Sequence, residues 1–407
     1  SAGAAAKNNT SDLGRQADRA SLADSMNAPK ARIWKDKTGK FEIEARMIDQ
    51  RDGNVLLLRS DQRKISVPID RLSLADQKYL ESQAMPSANP FEQVVDDTTG
   101  GRAIDYSRAM QPVTKVTDLA WGAKSVAISP RNRFLMIGRK AASASLCELE
   151  SGRMLIDSGR MKHMGDIGVC GFTPDGNYVI IGGDKGVFEV YRADGDGKLE
   201  LKEQRPQHNK QVTAMSISSD GKFVLSGDSD KTVCYWGIES GKTVATFQGF
   251  DGNIKATRVS TDGDRLLATD GKTVKVYSVG SQKIEAEMTV GKSHASGQAA
   301  AFSPDGGLLA VGDGYNIHLW DLTKGQQLPV MKGDEINWSM RFAPDGRHLL
   351  TGGNGVIYVW DCQRQIKLQS NTIGKSFYVQ ALAVSADGSY VAAPCDHRSV
   401  AVLQAGD

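Results

Sequence analysis

The sequence predicts an all-β protein in which a small strand barrel precedes a ring of seven repeated four-stranded units. The 407 residues include 43 Gly and are 40% apolar, a composition typical of a folded chain and not of a collagen-like, coiled-coil or disordered one. Short stretches of alternating apolar and polar residues fill positions 32–81, and this period of two indicates half-buried strands. Beyond residue 112, a strand, turn and strand pattern returns seven times at intervals of 40–45 residues, the length of one four-stranded unit.

The first 30 residues are expected to be a disordered leader. They are rich in Ala, Ser, Asn and Asp and hold almost no large apolar side chain, so they cannot bury enough surface to offset the entropy of the chain. The chain starts at Ser1 without an initiator Met, which fits a cleaved signal peptide, a trimmed tag or a truncated chain. Cytoplasmic and exported locations therefore both stay open.

Residues 31–82 are predicted to form the small barrel. Their apolar positions are Phe41, Ile43, Ala45, the run 55–58, Ile65, Val67 and Ile69. Gly39 and the pair Asp52-Gly53 separate these runs and are typical of turns between antiparallel strands. Ser73 is placed as the N-cap of a short helix that continues to Tyr79 and closes the barrel.

Residues 83–111 are predicted to be an acidic linker. The alternation stops there, and Pro86, Pro90 and the pair Gly100-Gly101 give the segment the composition of a connection. Its carboxylates outnumber its arginines.

Residues 112–407 carry the repeat. Each turn is centred on an Asp, replaced by Arg in the first copy: Arg131, Asp175, Asp220, Asp262, Asp305, Asp345 and Asp387. Fifteen or sixteen residues later each copy has a bulky apolar residue: Cys147, Tyr191, Trp236, Tyr277, Trp320, Trp360 and Leu403. Two independent spacings that agree seven times predict seven units, and closing them into a ring avoids exposed sheet edges.

This repeat resembles the WD-repeat family of β-propellers over residues 112–407. The signature dipeptide is intact at Trp320-Asp321 and Trp360-Asp361 and reduced to Trp236-Gly237 in the third unit. In that family a His, a Ser or Thr, an Asp and the Trp form a hydrogen-bonded network that braces a blade. The resemblance assigns these roles to His208, Ser226, Asp230 and Trp236.

The end of the sequence predicts how the ring closes. The last strand motif, residues 400–403, is the third strand of the seventh blade. We therefore expect the segment near 113–117 to supply the fourth strand of that blade.

The first module is similar to the Sla-type homology domain of a fungal endocytic adaptor. The similar stretches are 32–36, 38–45, 52–55, 64–65 and 72–79. The resemblance implies an SH3-like barrel that binds Asn-Pro-Phe-x-Asp peptides, and its pairing with a propeller implies a bacterial-type architecture.

The chemistry of such a peptide indicates what the barrel must offer. Asn-Pro favours a tight turn because Pro fixes φ near about −65°. The turn directs the Phe ring into an apolar pocket, and the following carboxylate meets a basic side chain. The candidate basic partners are Arg46, Arg59, Arg63 and Lys64, of which Arg59 and Lys64 occupy basic positions of the family pattern.

The linker holds a candidate ligand for this module. Asn89-Pro90-Phe91-Glu92 carries the first three letters of the motif, with Gln93 in place of the Asp. Residues 81–89 reach at most ~26 Å, at about 3.3 Å per residue, so the motif can bind its own barrel or that of a neighbour. The two cases give autoinhibition and self-association. The alternative is that Phe91 only docks the linker on the barrel or the propeller.

Charge and motifs argue against other function classes. The 50 Lys and Arg nearly balance the 48 Asp and Glu, for a net charge of +2, and no basic block indicates nucleic-acid binding. No apolar run approaches the about 20 residues that span a bilayer. The five cysteines lack metal or redox spacing, and no motif of a familiar enzyme or cofactor site occurs.

The remaining conspicuous residues are interpreted as structural or as docking candidates. His163, His208 and the run Cys395-Asp396-His397 are assigned structural roles. The candidate docking residues on the propeller are Trp121, Trp338, Arg341, the run 375–378 and Arg398.

We therefore predict a non-enzymatic scaffold whose barrel binds NPF-type peptides while its propeller docks a second protein. The alternatives are an exported sensor or enzyme that uses the central channel, and a structural envelope or coat component.

Overall fold

The computed structural model describes residues 31–37, 42–51, 54–59, 63–73, 76–77, 104–119, 122–157, 165–289, 299–375 and 377–406. These residues fall into two compact units. The first unit holds residues 31–77 and the second holds residues 104–406.

The first unit is a four-stranded antiparallel sheet with its strands in chain order. The strands are β1 Ala31–Lys35, β2 Glu42–Arg51, β3 Asn54–Arg59 and β4 Lys64–Pro68, followed by a 3₁₀ turn, Ile69–Arg71. The alternating pattern places Trp34, Ala45, Val55, Leu57 and Leu72 in one buried cluster. The Trp34 indole N–H donates to the Ala45 carbonyl at 2.9 Å, so the buried ring leaves no donor unsatisfied. The closure of this sheet into an SH3-like barrel stays a prediction.

Ser73 caps a helical turn, as the sequence predicts. The Asp76 N–H donates to Ser73 Oγ at 3.2 Å, and the Gln77 N–H donates to the Ser73 carbonyl at 2.9 Å. The buried Asp76 carboxylate accepts from the Lys35 N–H and from Ser73 Oγ, both at 2.8 Å, which ties this turn to β1. Tyr79, the predicted end of the helix, lies outside the described residues.

The second unit is a seven-bladed propeller, which confirms the predicted fold class. The closing strand is β5, Gln111–Val116. Blades 1 to 3 comprise β6 Ala123–Ile128, β7 Phe134–Arg139, β8 Ala144–Glu148 and β9 Met154–Asp157; β10 Ile167–Phe172, β11 Tyr178–Gly183, β12 Val187–Ala193 and β13 Leu199–Pro206; and β14 Val212–Ile217, β15 Phe223–Asp228, β16 Val233–Gly237 and β17 Thr243–Phe247. Blades 4 to 6 comprise β18 Ala256–Val259, β19 Arg265–Thr269, β20 Thr273–Ser278 and β21 Ile284–Thr289; β22 Ala300–Phe302, β23 Leu308–Gly312, β24 Ile317–Asp321 and β25 Gln326–Gln327; and β26 Ser339–Phe342, β27 His348–Gly352, β28 Val356–Asp361 and β29 Ile366–Thr372. Blade 7 comprises β30 Ala383–Val384, β31 Tyr390–Asp396, β32 Ser399–Gln404 and β5.

The repeated turn joins the first and second strands of every blade. The residue after the turn Asp is a Gly at φ +68° to +80° in six blades, and Asn132 at φ +54° in the first. This left-handed conformation favours Gly and, after it, Asn. The Ser218 hydroxyl shows how the turn is held, because it donates to Asp220 at 2.6 Å and accepts from the Phe223 N–H at 3.0 Å.

The ring closes as predicted, because β5 pairs with β32 in the outermost position of blade 7. Val400 lies opposite Val116, and Val402 lies opposite Thr114. Lys115 pairs with Asp396 at 2.9 Å, so an ion pair as well as the strand ladder joins the two parts of the chain. The two ends of the propeller are therefore held within one sheet.

Residues 104–110, which the sequence assigns to the linker, pack on the propeller. The buried Tyr106 hydroxyl donates to the Gly388 carbonyl at 2.8 Å, and the Met110 N–H donates to Asn371 Oδ1 at 2.9 Å. Tyr106 and Met110 belong to the apolar cluster between blades 6 and 7. The propeller therefore begins before β5.

All five cysteines lie in the described residues and are buried thiols without a disulfide.

In the part of the chain that the structure describes, no helix has the length and apolarity needed to cross a membrane.

Candidate functional site: the loop face and channel of the propeller

One face of the propeller carries a patch of aromatic rings. This loop face holds the segments that enter each first strand and the turns between second and third strands. Tyr315 lies in such a turn of blade 5, Trp338 directly precedes β26, and Tyr378 lies in the segment that precedes β30. Tyr315 is 56% exposed, Tyr378 is 51% exposed, and Trp338 is half-buried. We call these three residues the aromatic patch.

The rings of the aromatic patch are held on an anchored backbone. The Trp338 and Tyr378 ring centroids are 4.5 Å apart at an interplanar angle of 36°. Asn337, next to Trp338, donates from its side-chain amide to the Tyr315 carbonyl at 3.0 Å. Tyr378 forms a bridge with Asn354 of blade 6. The patch therefore extends over three consecutive blades, with its backbone held by these contacts and the Trp338 and Tyr378 rings packed on each other.

The other predicted docking residues have different positions. Phe377 is half-buried and meets the exposed His397 ring edge-on at 5.1 Å, beside the aromatic patch. Lys375 is exposed. Arg398 donates from Nε to the Leu119 carbonyl at 3.0 Å, which gives it a role in holding the closing segment. Trp121 and Ser376 lie outside the described residues.

Arg341 does not lie on the loop face but in the central channel. The first strands of all seven blades line a cavity of about 630 Å³ along the axis. Arg258 from blade 4 lines it as well. Sequence reasoning missed Arg258 as a candidate. It named Arg341 as a docking residue at the surface, and the side chain is exposed but lines the channel.

A buried polar network braces blade 3, and one of its members differs from the prediction. His208 Nδ1 lies 3.0 Å from Asp228 Oδ2, and His208 Nε2 lies 2.8 Å from Ser226 Oγ. The Trp236 indole N–H donates to Ser226 Oγ at 3.2 Å. The carboxylate is therefore Asp228 and not Asp230, which is exposed and donates its backbone N–H to Asp228 at 2.9 Å. Asp228 ends β15 and so faces the His, whereas Asp230 lies in the turn beyond it.

The electrostatics of this network favour a charged pair. Burial works against the charged imidazole, but the hydrogen bonds to Asp228 and Cys234 outweigh it and raise the pKa of His208 to about 9. Burial also opposes the charged carboxylate, and the hydrogen bond to His208 nevertheless keeps the pKa of Asp228 below its ordinary value. The network is therefore a structural brace that carries a buried imidazolium. His163 lies outside the described residues.

The run Cys395-Asp396-His397 is placed as a brace and not as a nucleophile with its base. Burial raises the pKa of the Cys395 thiol, which disfavours the nucleophilic thiolate. Asp396 pairs with Lys115 and accepts from the Arg398 N–H at 2.8 Å. These contacts hold the closing strand.

The backbones of the four basic residues predicted to bind peptide lie at one end of the first unit's sheet. Arg46 of β2 lies opposite Leu58 of β3, and Leu58 lies opposite Lys64 of β4. Arg59 and Arg63 meet across the following turn, where the Arg59 N–H donates to the Arg63 carbonyl at 3.0 Å. Both of their side chains are exposed. The proposed ligand motif, Asn89, Pro90, Phe91 and Glu92, lies outside the described residues.

Comparison with known families matches both units. The profile of SLA1 homology domain 1 matches residues 23–87. The profile of the WD domain, G-beta repeat, matches residues 200–237, 288–321 and 325–361. The chain carries an SHD1 domain and a propeller of WD40 repeats. The three repeat matches end at Gly237, Asp321 and Asp361, directly after the Trp of each third strand.

Individual relatives share part of their length with this chain. It is 30% identical over 168 residues to the U3 small nucleolar RNA-associated protein 15 homolog of Xenopus laevis, covering 40% of this chain and 32% of that protein. It is 25% identical over 185 residues to the Pre-mRNA-processing factor 19 homolog 2 of Arabidopsis thaliana, covering 45% and 35%. The chain thus spans about a third of the length of these relatives. Both are eukaryotic, and they give no support to the predicted bacterial-type architecture.

Proposed function

We propose that this chain is a non-enzymatic protein-interaction scaffold whose propeller docks a partner protein on the aromatic patch. The observation that carries the proposal is the ring pair of Trp338 and the exposed Tyr378, with the exposed Tyr315 beside it. Large rings on a fixed backbone bury much apolar area and lose little conformational entropy on binding, so Trp and Tyr dominate the energetics of protein interfaces. The WD40 repeats support the same role.

The SHD1 domain supplies the second binding site in this proposal. The backbones of Arg46, Arg59, Arg63 and Lys64 lie at one end of its sheet. The exposed side chains of Arg59 and Arg63 bring positive charge there that can meet the carboxylate that follows the Phe of an NPF-type peptide. We propose that such peptides bind there. The self-ligand is Asn89-Pro90-Phe91-Glu92 of the same chain, bound in the same molecule or in a neighbour.

Two binding sites on one chain raise the overall affinity of an assembly that occupies both. Once one partner is bound, covalent connection of the two sites gives the second site an effective concentration that reaches the order of mM for short linkers. Modest affinities at the SHD1 domain and the aromatic patch therefore suffice for a firm assembly. If the linker binds a neighbour's SHD1 domain, the contact is heterologous and either closes into a ring or continues as a filament.

The aromatic patch is tested by affinity capture with the full chain as bait. We expect Trp338→Ala and Tyr378→Ala each to weaken capture of the same partner by about 30-fold, since an interface hot spot contributes about 2 kcal/mol or more. The matched control is Ile366→Ala, because Ile366 is exposed to a similar extent as Tyr378, 46%, on the outermost strand of blade 6. Capture of the same proteins in the same amounts by the wild type and all three variants would contradict docking on this patch.

A further inference from the structure

The central channel carries positive charge without a balancing carboxylate in its lining. Its cavity of about 630 Å³ is lined by Lys124, Lys255, Arg258 and Arg341, and none of its lining residues in the described chain is Asp or Glu. Lys124 pairs with Asp166 at 3.3 Å. Asp305 exerts a weak attraction on Arg258 that does not outweigh burial, and its carboxylate already accepts from Ser303 Oγ and the Gly307 N–H.

Arg258 and Arg341 occupy the same position of the repeat. Each lies two residues before the residue that opens the turn between the first and second strands. The other five blades have small residues at this level: Ala127, Gly171, Ser216, Ala301 and Ala383. Five small residues leave room in the ring, and two long cationic side chains from blades 4 and 6 line the space.

The structure gives each of these two arginines one hydrogen bond to a backbone carbonyl. Arg341 donates from Nε to the Leu382 carbonyl at 3.2 Å, and Arg258 donates from a terminal nitrogen to the Pro304 carbonyl at 2.7 Å. A guanidinium has five N–H donors. The Nε of Arg258 is buried without a partner, as is the Oγ of Ser216 at the same level of the ring.

Three arginines elsewhere in the propeller each pair with a carboxylate, although buried nitrogens of Arg139 and Arg205 also lack a hydrogen-bond partner. Arg205 pairs with Glu203 at 2.5 Å and donates to the Gly237 carbonyl at 2.7 Å. Arg347 pairs with Asp361 at 2.6 Å, and Arg139 pairs with Asp157. The channel arginines differ, and burial together with the positive charge of Arg341 lowers the pKa of Arg258 below its ordinary value. The Nε of Arg258 is the buried part of this charge, whereas the Arg341 side chain is exposed. A bound anion would supply the counter-charge that the channel lining lacks.

The charge is arranged at two levels of the channel. Lys255 lies three residues before Arg258 on the same strand segment, and strands rise about 3.3 Å per residue, so the two levels are roughly 10 Å apart. We propose that the central channel binds a small molecule with two or more phosphate groups, one held by Arg258 and Arg341 and another by Lys255. Phosphate suits the site because each group brings up to two negative charges and several acceptor oxygens to guanidinium donors. This inference goes beyond the scaffold role and does not depend on it.

The test is isothermal titration calorimetry of the full chain with inositol hexakisphosphate and pyrophosphate, and with citrate as the carboxylate comparator. We expect one molecule of either phosphate compound per chain and at least tenfold weaker binding of citrate. Arg258→Gln and Arg341→Gln should each weaken phosphate binding at least tenfold, and Arg341→Lys should restore part of it. Arg364→Gln, on an exposed rim residue, is the matched control and should leave binding unchanged.

Thermal melting distinguishes a ligand-binding role of Arg341 from a structural one. Without ligand, Arg341→Gln should melt no lower than the wild type, because the exposed Arg341 side chain has no carboxylate in the channel lining to pair with. Inositol hexakisphosphate should raise only the wild-type melting temperature. Lys255→Gln, which leaves the arginine level intact, should weaken binding of inositol hexakisphosphate at least threefold. Absence of binding by both phosphate compounds, equal loss in Arg364→Gln, or citrate bound as tightly as pyrophosphate would each overturn the proposal.

Discussion

Deleting residues 112–118 should lower the free energy of unfolding of the whole propeller by about 5 kcal/mol or more. The deletion removes all of β5 except Gln111, and with it four of the five positions that pair with β32 and the buried Val116. Each strand hydrogen bond contributes about 1 kcal/mol net, and burial of a Val side chain contributes about 1.5 kcal/mol or more. The exposed edge of β32 then becomes a site for aggregation.

This loss should be cooperative, because the ring has no other closure among the described strands. Circular dichroism during thermal unfolding should show one transition at a clearly lower temperature than in the wild type. The matched control deletes seven residues at 8–14, which changes the chain length equally and should leave the propeller transition in place. An unchanged transition after deletion of 112–118 would show that β5 does not hold the ring.

Asp228→Ala should lower the free energy of unfolding by about 3–5 kcal/mol, the loss typical of removing one partner from a buried charged pair. The substitution leaves the buried His208 imidazole without its carboxylate. It also loosens the positions of Ser226 and Trp236, which hydrogen bond through the same hydroxyl. Asp230→Ala is the control, since Asp230 is exposed and contributes its backbone N–H. Equal destabilisation by both substitutions, measured by urea unfolding, would contradict the assignment of Asp228.

The same pair predicts how stability depends on pH. The folded-state pKa of His208 is raised from 6.5 to about 9, so the folded state holds this proton more tightly than the unfolded state. The stabilisation is fully present below pH 6.5 and is lost as the pH rises through about 9. At 1.36 kcal/mol per pKa unit it amounts to about 3 kcal/mol. Asp228→Asn should remove this fall in stability above pH 6.5, and a wild-type free energy of unfolding that is flat from pH 6 to pH 9 would contradict the charged pair.

The propeller could be predicted from the sequence because its turn motif and its third-strand motif each occur seven times. Seven turns and seven third-strand residues fall at matching intervals, and single departures such as Arg131 do not obscure them. Closure of the ring by β5 could also be predicted from the sequence, because the repeat pattern supplies only three of the four strands of the seventh blade. These features depend on local patterns and on counting, which sequence alone supplies.

The members of the polar network and of the channel needed the structure. Asp228 and Asp230 are both acidic and two residues apart, and only the extent of β15 decides which one faces His208. Arg258 carried a signal that alignment of the seven repeats would have found, because Arg replaces a small residue at one fixed position. The aromatic patch brings together residues from three blades, and no sequence spacing indicates that Tyr315 lies near Trp338.

Protein binding at two sites of this chain is tested most directly at the SHD1 site. A fluorescein-labelled peptide of residues 84–98 is titrated with the full chain carrying Phe91→Ala, which removes the internal competitor, and fluorescence anisotropy is recorded. We predict saturable binding that is at least tenfold weaker when the peptide itself carries Phe91→Ala, or when the chain also carries Arg59→Glu and Arg63→Glu. A second peptide with Gln93→Asp restores the full motif and should bind more tightly. Failure of both Phe-containing peptides to bind, or equal binding of the peptide with and without Phe91→Ala, would contradict the account.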